Sequence, residues 1–181
     1  MPSVALALLD RDGTLNLKPP DGGWVTEPGG LTLLPGAAEA VRALNDAGIT
    51  VAVVTNQRCV TLGLVDAAGI AAIHRELERA LRAEAGAHVD AIHVCPHADG
   101  ECSCRKPLPG LLADAAAALG IDAAHSVMIG DADTDVEAGR RFGARTIQLT
   151  DGPSAADATA PTLLDAVRGL LGGSRDERSP S

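Results

Sequence analysis

The sequence predicts an α/β fold: a three-layer α/β/α arrangement with a central parallel sheet. Short apolar runs without polar alternation, such as Val4 to Leu9, Ile49 to Val54 and Ser126 to Ile129, read as strands buried on both faces. Segments of helical periodicity separate these runs, and strict strand–helix alternation makes a parallel sheet with helices on both sides. The runs also end in polar residues, as strands do where open α/β sheets bind ligands.

Taken in order, the first strand, Val4 to Leu9, delivers Asp10-Arg11-Asp12-Gly13-Thr14-Leu15. Residues 16 to 34 are rich in Pro and Gly and read as a loop, in which Trp24 either walls a pocket or covers the core. A helix opens at Pro35 and ends at Gly48, with Ala37, Val41 and Leu44 on one face. The second strand, Ile49 to Val54, runs into Thr55-Asn56-Gln57. After a loop from Arg58 to Leu64, Asp66 is placed to cap a helix, with Val65 and Ile70 as a hydrophobic staple. Ile70, Ile73, Leu77 and Leu81 form its apolar stripe, and His74 is assigned to the charged surface beside it. The third strand, Ala91 to Val94, enters a Cys/His loop. Pro107 keeps Lys106 in the turn before a helix from Leu108 to Leu119. The fourth strand, Ser126 to Ile129, ends in Gly130-Asp131-Ala132-Asp133-Thr134-Asp135, with Asp133 read as the cap of a helix reaching Phe142. A fifth strand, Ala144 to Leu149, and a helix from Thr162 to Leu171 complete one expected domain over residues 1–171. Residues 172–181 read as a frayed tail.

The chain of 181 residues has 15 Lys plus Arg against 24 Asp plus Glu, and this charge of −9 argues against nucleic-acid and anionic-membrane partners. One Phe, one Trp and no Tyr leave no stacking platform for bases. No run is long enough for a membrane helix and no cleavable leader is visible, so a cytoplasmic protein is expected. A monomer is the expected assembly. The cysteines between Cys95 and Cys104 sit beside His97, which in a reducing compartment reads as metal ligation rather than disulfide.

Parallel topology brings Asp10 and Asp12, Thr55 and Asn56, Lys106, and Asp131 with Asp135 to one edge of the sheet. Carboxylates with a lysine and a hydroxyl suit Mg²⁺ beside an anion: hard oxygen ligands hold the ion, and the cations neutralise charge during phosphoryl transfer. The predicted partner is therefore a small phosphorylated metabolite. Cys95, His97, Cys102 and Cys104 offer a complete tetrahedral set for a structural Zn²⁺. Cys59 is left as an unligated thiol.

These motifs, in this order over about residues 4 to 150, resemble those of the haloacid dehalogenase (HAD)-like phosphohydrolases. That resemblance implies a HAD-like Rossmannoid fold in which Asp10 is the nucleophile and Asp12 the general acid and then base. It further implies that Thr55 and Lys106 hold the phosphoryl group, and that Asp10, the backbone carbonyl of Asp12 and Asp131 bind Mg²⁺. Asp135 is then a supporting residue. Neither gap where a cap could be inserted is long, so the cap is expected to be minimal. Cys-Pro-His followed by Cys-x-Cys-Arg-Lys-Pro-x-Pro-Gly, with Asp-Arg-Asp-Gly-Thr-Leu-Asn and Val-Thr-Asn-Gln, is similar to the D-glycero-D-manno-heptose 1,7-bisphosphate 7-phosphatases. The histidinol-phosphate phosphatases share the zinc loop. The Trp24-Val25 pair and the Pro109-Gly110 ending favour the heptose family, whose pattern implies substrate contacts from Asn56 and Arg105. The chain departs from that pattern at Arg58-Cys59 and Leu62-Gly63, where the family commonly has Ser-Gly and an arginine before the next glycine. Arg58 is the candidate to replace that arginine at a phosphate, with solvation at the surface as its alternative.

Two other readings are distinguishable. A histidinol-phosphate enzyme would need acids for the ammonium, with Asp99 and Glu101 as candidates. A phospho-accepting receiver would also use an acidic cluster with Thr and Lys, but Asp12 favours leaving-group protonation and turnover.

Overall fold

The computed structural model describes residues 3–20 and 22–173. The elements are β1 (Leu6–Leu9), α1 (Ala37–Asp46), β2 (Thr50–Asn56), α2 (Ala67–Ala85), β3 (Ala91–Cys95), α3 (Gly110–Leu119), β4 (Ser126–Gly130), α4 (Asp133–Phe142), β5 (Arg145–Leu149), β6 (Ala158–Ala160) and α5 (Leu163–Gly173). The strands form one six-stranded sheet in the order β3-β2-β1-β4-β5-β6, and every pairing is parallel.

Successive residues of β1 feed different cores, as the two-residue period of a strand requires. Ala7 and Leu9 join Val51, Val53, Val127 and Ile129 against α1, α2 and α5. Leu6 and Leu8 join Ala52, Val54 and Met128 against α3 and α4. Both faces of β1 are sealed, which is why its sequence shows no polar alternation. Each such leucine contributes about 1.5–3 kcal/mol of burial.

The structure moves several expected boundaries. β2 continues through Asn56, so Thr55 and Asn56 are strand residues rather than the start of a loop. β6 was not anticipated: Ala158-Thr159-Ala160 has no apolar run, and its partner β5 supplies the pairing. α5 runs to Gly173, two residues into the segment expected to be a frayed tail; the rest of that segment, residues 174–181, lies outside the described ones. Asp66 does cap α2, accepting the Gly69 N–H at 2.7 Å. Asp133, in contrast, is not a cap. The chain turns one residue earlier, at Ala132, whose N–H donates to Asp135 Oδ2 at 3.1 Å, while Asp133 accepts from Gln148 Nε2 at 2.9 Å.

The excursion between β1 and α1 is stitched at its base by Leu17 N–H to Thr32 O at 2.9 Å and Leu34 N–H to Leu15 O at 2.9 Å. It thereby leans Lys18 and Trp24 over the carboxyl edge of the sheet. Among the described residues no helix is long and apolar enough to cross a membrane.

Candidate active site

At that edge lies a cleft of about 400 Å³, lined by Asp10, Asp12, Thr55, Asn56, Lys106 and Asp135, with Lys18 and Trp24 from the loop. Trp24 also packs against the core, so it meets both of its expected roles. At the centre is Lys106, only 3% exposed. Its ammonium donates to Asp10 Oδ1 at 2.7 Å and to Val54 O at 2.8 Å, and pairs with Asp135 Oδ1 at 2.6 Å, using its full donor capacity. Burial pushes the Asp10 carboxyl up to about 6 against the pull of Lys106, with Asp135 and Asp12 adding to the rise. Burial works against the charge of Lys106, but Asp10 and Asp135 more than offset it and hold its pKa above the ordinary lysine value. Asn56 grips the Lys106 backbone from both sides, Nδ2 donating to its O at 3.0 Å and Oδ1 accepting its N–H at 3.2 Å.

Donor atoms of Asp10, Asp131 and Asp135 lie within 4.8 Å of one another. Asp135 is committed to Lys106 and to the Ala132 N–H, whereas Asp131 Oδ1 is buried with no partner. An orphaned carboxylate oxygen beside Asp10 fits a hard divalent cation such as Mg²⁺. The other oxygen of Asp131 meets Lys18. Two glycines make the approach possible. Gly13 has φ +90, and a Cβ there would lie 2.5 Å from Asp131 Oδ2; at Gly130 a Cβ would lie 2.2 Å from Asp135 Oδ2.

Asp12 sits at the cleft but its carboxylate is held from behind. Arg11 Nη2 donates to both oxygens at 3.0 Å, Asn16 Nδ2 to Oδ1 at 2.9 Å and Gln57 Nε2 to Oδ2 at 2.7 Å. Gln57 Nε2 also donates to Thr55 Oγ1 at 2.8 Å, leaving the Thr55 proton to be donated elsewhere. Arg11 is fully buried and its Nη1 meets His74 Nε2 at 3.2 Å. His74 is therefore no surface residue: it is 8% exposed, and burial followed by the Arg11 charge lowers its pKa to about 4. Sequence reasoning missed Arg11, Asn16, Gln57 and Lys18. A usable signal was present for His74, which stands four residues after Ile70 and three before Leu77, within the apolar stripe.

In the adjoining loop the donors of Cys95, His97, Cys102 and Cys104 approach to 3.3–3.6 Å. These spacings are close to the ~3.8 Å tetrahedral edge that Zn–S bonds of about 2.3 Å give. Burial and the neighbouring sulfurs push Cys104 up to about 12; burial opposes the change at Cys102, but bonds from Cys104 and the Arg105 N–H draw it down to about 7. Three sulfurs and one imidazole nitrogen fit a structural Zn²⁺. Cys59 is buried and apart from this cluster. Arg105 ion-pairs with Asp99 and donates to His97 O at 3.2 Å, so it closes this loop rather than lining the cleft. Asp99 is thereby engaged, and Glu101 accepts the Ala98 N–H at 2.9 Å, which leaves both acids occupied within the loop. Arg58 is half-buried, lies outside the cleft lining, and has no partner at Nε.

The parallel sheet with this acid–lysine edge defines a HAD-like hydrolase, and the HAD-hydrolase-like family model matches residues 103–167. The chain is 41% identical over 141 residues to the D-glycero-beta-D-manno-heptose-1,7-bisphosphate 7-phosphatase of Bordetella bronchiseptica, covering 77% of each chain. It is 38% identical over 151 residues to the enzyme of the same name from Pseudomonas aeruginosa, covering 83% of each. The crystal structure of the D,D-heptose 1,7-bisphosphate phosphatase from B. bronchiseptica, complexed with magnesium and phosphate, superposes with a TM-score of 0.84 at 34% identity, covering 94% of this chain and 99% of that one. The chain belongs to the D-glycero-beta-D-manno-heptose-1,7-bisphosphate 7-phosphatase family.

Proposed function

We propose that this chain is a Mg²⁺-dependent phosphatase that removes the 7-phosphate of D-glycero-D-manno-heptose 1,7-bisphosphate through an aspartyl-phosphate. The observation that carries the reading is the buried Asp10–Lys106–Asp135 cluster opening on a cleft, beside an Asp131 with an unpartnered oxygen, in a chain of this family.

A carboxylate oxygen of Asp10 attacks phosphorus and the sugar oxygen leaves in line. Asp12 gives the leaving oxygen a proton, then takes one from the water that hydrolyses the acyl phosphate and frees Asp10. The Lys106 charge offsets that of the phosphoryl oxygens, the Thr55 hydroxyl donates a hydrogen bond to one of them, and Asp135 holds the lysine in place. Mg²⁺, held by Asp10, Asp131 and the Asp12 backbone carbonyl, would supply further charge neutralisation to the transferring group. Asn56 positions Lys106 and faces substrate, while Zn²⁺ held by Cys95, His97, Cys102 and Cys104 would order the loop that leads to it. The closely spaced thiols support a location in the reducing cytoplasm, and the chain is proposed to work there as a monomer.

Phosphate release from heptose 1,7-bisphosphate, with and without Mg²⁺, tests this reading against Asp10→Asn. Turnover should require the metal and fall by several orders of magnitude in the variant. Wild-type turnover by Asp10→Asn would remove the nucleophile assignment, and a higher kcat/KM on histidinol phosphate would remove the substrate assignment.

A further inference from the structure

The steps above leave unused a fully buried guanidinium and a buried imidazole. Arg11 lies two residues past the end of β1, is fully buried, and meets His74, which lies in the apolar stripe of α2. We infer that His74 is a positioning residue for Asp12: it anchors the Arg11 guanidinium, which holds the Asp12 carboxylate in the orientation that serves the leaving-group oxygen. The inference rests on the reading that Asp12 is the general acid.

The geometry assigns each partner one role. Arginine only donates, so His74 Nε2 must accept from Arg11 Nη1 across their 3.2 Å contact; the ring is neutral and carries its proton on Nδ1. That choice of acceptor matters. A carboxylate at residue 74 would compete for the guanidinium charge, whereas a neutral ring fixes the fork and leaves its charge to Asp12. Arg11 Nε and Nη2 then bind Asp12 Oδ1 at 3.2 and 3.0 Å, and Nη2 binds Oδ2 at 3.0 Å, a planar hold that an ammonium would not reproduce. Asn16 and Gln57 close off other orientations. Asp12 still keeps 17% of its side chain exposed, enough to face substrate in the cleft.

An acid that must be aligned matters most where the leaving oxygen needs a proton. A sugar alkoxide needs one and p-nitrophenolate does not, so the two substrates report on Asp12 separately. Single-turnover phosphoryl transfer is to be measured on heptose 1,7-bisphosphate and on p-nitrophenyl phosphate. In His74→Leu the ratio of the sugar-phosphate rate to the aryl-phosphate rate should fall about tenfold, a part of the 10²–10⁴ that general acids typically contribute. His74→Gln, which keeps an acceptor for Arg11, should restore the ratio. If His74→Leu does not fold, His74→Asn, too short to reach Nη1, decides by the same ratio. An unchanged ratio, or no recovery with Gln, overturns the inference. Asp12→Asn separates it from its foundation: if that variant transfers from the sugar phosphate at the wild-type rate, the general-acid reading fails, whereas its collapse beside an unchanged ratio in His74→Leu sinks only the positioning role.

Discussion

Lys106→Met removes the ammonium that lies between two buried carboxylates, and the structure sets what should follow. Asp10 and Asp135 are 8% and 2% exposed, with donor atoms within 4.8 Å of each other, so solvent cannot take over from the ammonium. Breaking a buried ion pair by removing one partner costs about 3–5 kcal/mol. The variant can relieve part of that cost by taking up a proton. Asp10 already titrates near 6 with the lysine present, and loss of the lysine raises it further. Over the window from the unfolded value of 3.8 up to the raised folded value, the folded chain binds the extra proton. The variant's stability therefore falls as pH rises through this window. Wild type shares this slope up to about 6, so the deficit at pH 8 should exceed that at pH 5.5 by about 1.4 kcal/mol for each pH unit that loss of the lysine adds to the Asp10 value. Loss of one preorganised charge should also add about 3–4 kcal/mol to the barrier, a fall of 10²–10³ in kcat. Urea unfolding at both pH values without added Mg²⁺, with single-turnover phosphate release, measures all three quantities. A variant within about 1 kcal/mol of wild type at pH 8, or a deficit that does not shrink at pH 5.5, would refute the view that Lys106 holds two ionised acids.

Acid should weaken the fold through His74: the unfolded ring takes a proton below 6.5 and the folded one not until about 4, so this contribution is lost as pH falls through that window. The loss at pH 5 is about 2 kcal/mol relative to pH 8, and Asp10 has the opposite slope. The check is therefore the difference between wild type and His74→Gln in urea; parallel pH profiles would count against a buried neutral ring. Gly130→Ala drives a methyl into Asp135 and should cost about 1–3 kcal/mol together with most of kcat, as overpacking does. Full activity there would mean that Asp135 need not stay where it is. Removing zinc with a chelator, or Cys102→Ser, should lower both Tm and kcat, with elemental analysis giving roughly one zinc per chain before treatment. An unaffected Tm and kcat would leave the cluster without a structural role.

What could be read without coordinates was whatever the chain writes locally. The unbroken apolar run before Asp10 already states that β1 is covered on both faces, and the polar ends of successive runs state which edge carries the site. β6 is legible only as a neighbour of β5, because Ala-Thr-Ala has no burial signature of its own. Asp133 shows the limit of cap rules: an acid in the right turn still loses the role if the backbone turns one residue earlier. His74 was missed because its charged neighbours outweighed its place between Ile70 and Leu77, and because a buried histidine makes sense only once Arg11 is known to point inward. Nothing local in the sequence assigns a role to Arg11. Arg11 lies just past the end of β1, fully buried, and its guanidinium spans His74 on α2 and the Asp12 carboxylate at the cleft, a link that no local pattern reports.

The same logic accounts for a Cys/His loop standing next to Lys106. Lys106 must be held rigidly, yet the segment before it, from Pro96 to Ser103, contributes no fully buried apolar side chain that could hold it by packing. Its order is supplied by directional bonds. The Arg105 N–H is drawn to Cys102 Sγ at 3.3 Å, Asn56 brackets the Lys106 backbone, and Thr61 reaches across to Pro96 O. Gly110 lets α3 begin against Ser103, its N–H donating to Ser103 O at 3.1 Å where a Cβ would lie 2.4 Å from that oxygen. A tetrahedral ion on Cys95, His97, Cys102 and Cys104 would cross-link the end of β3 to Cys104, two residues before Lys106, offsetting the entropy of ordering a loop with little core. Such a loop can aim its lysine, because the anchor points that matter lie at its two ends rather than along its length.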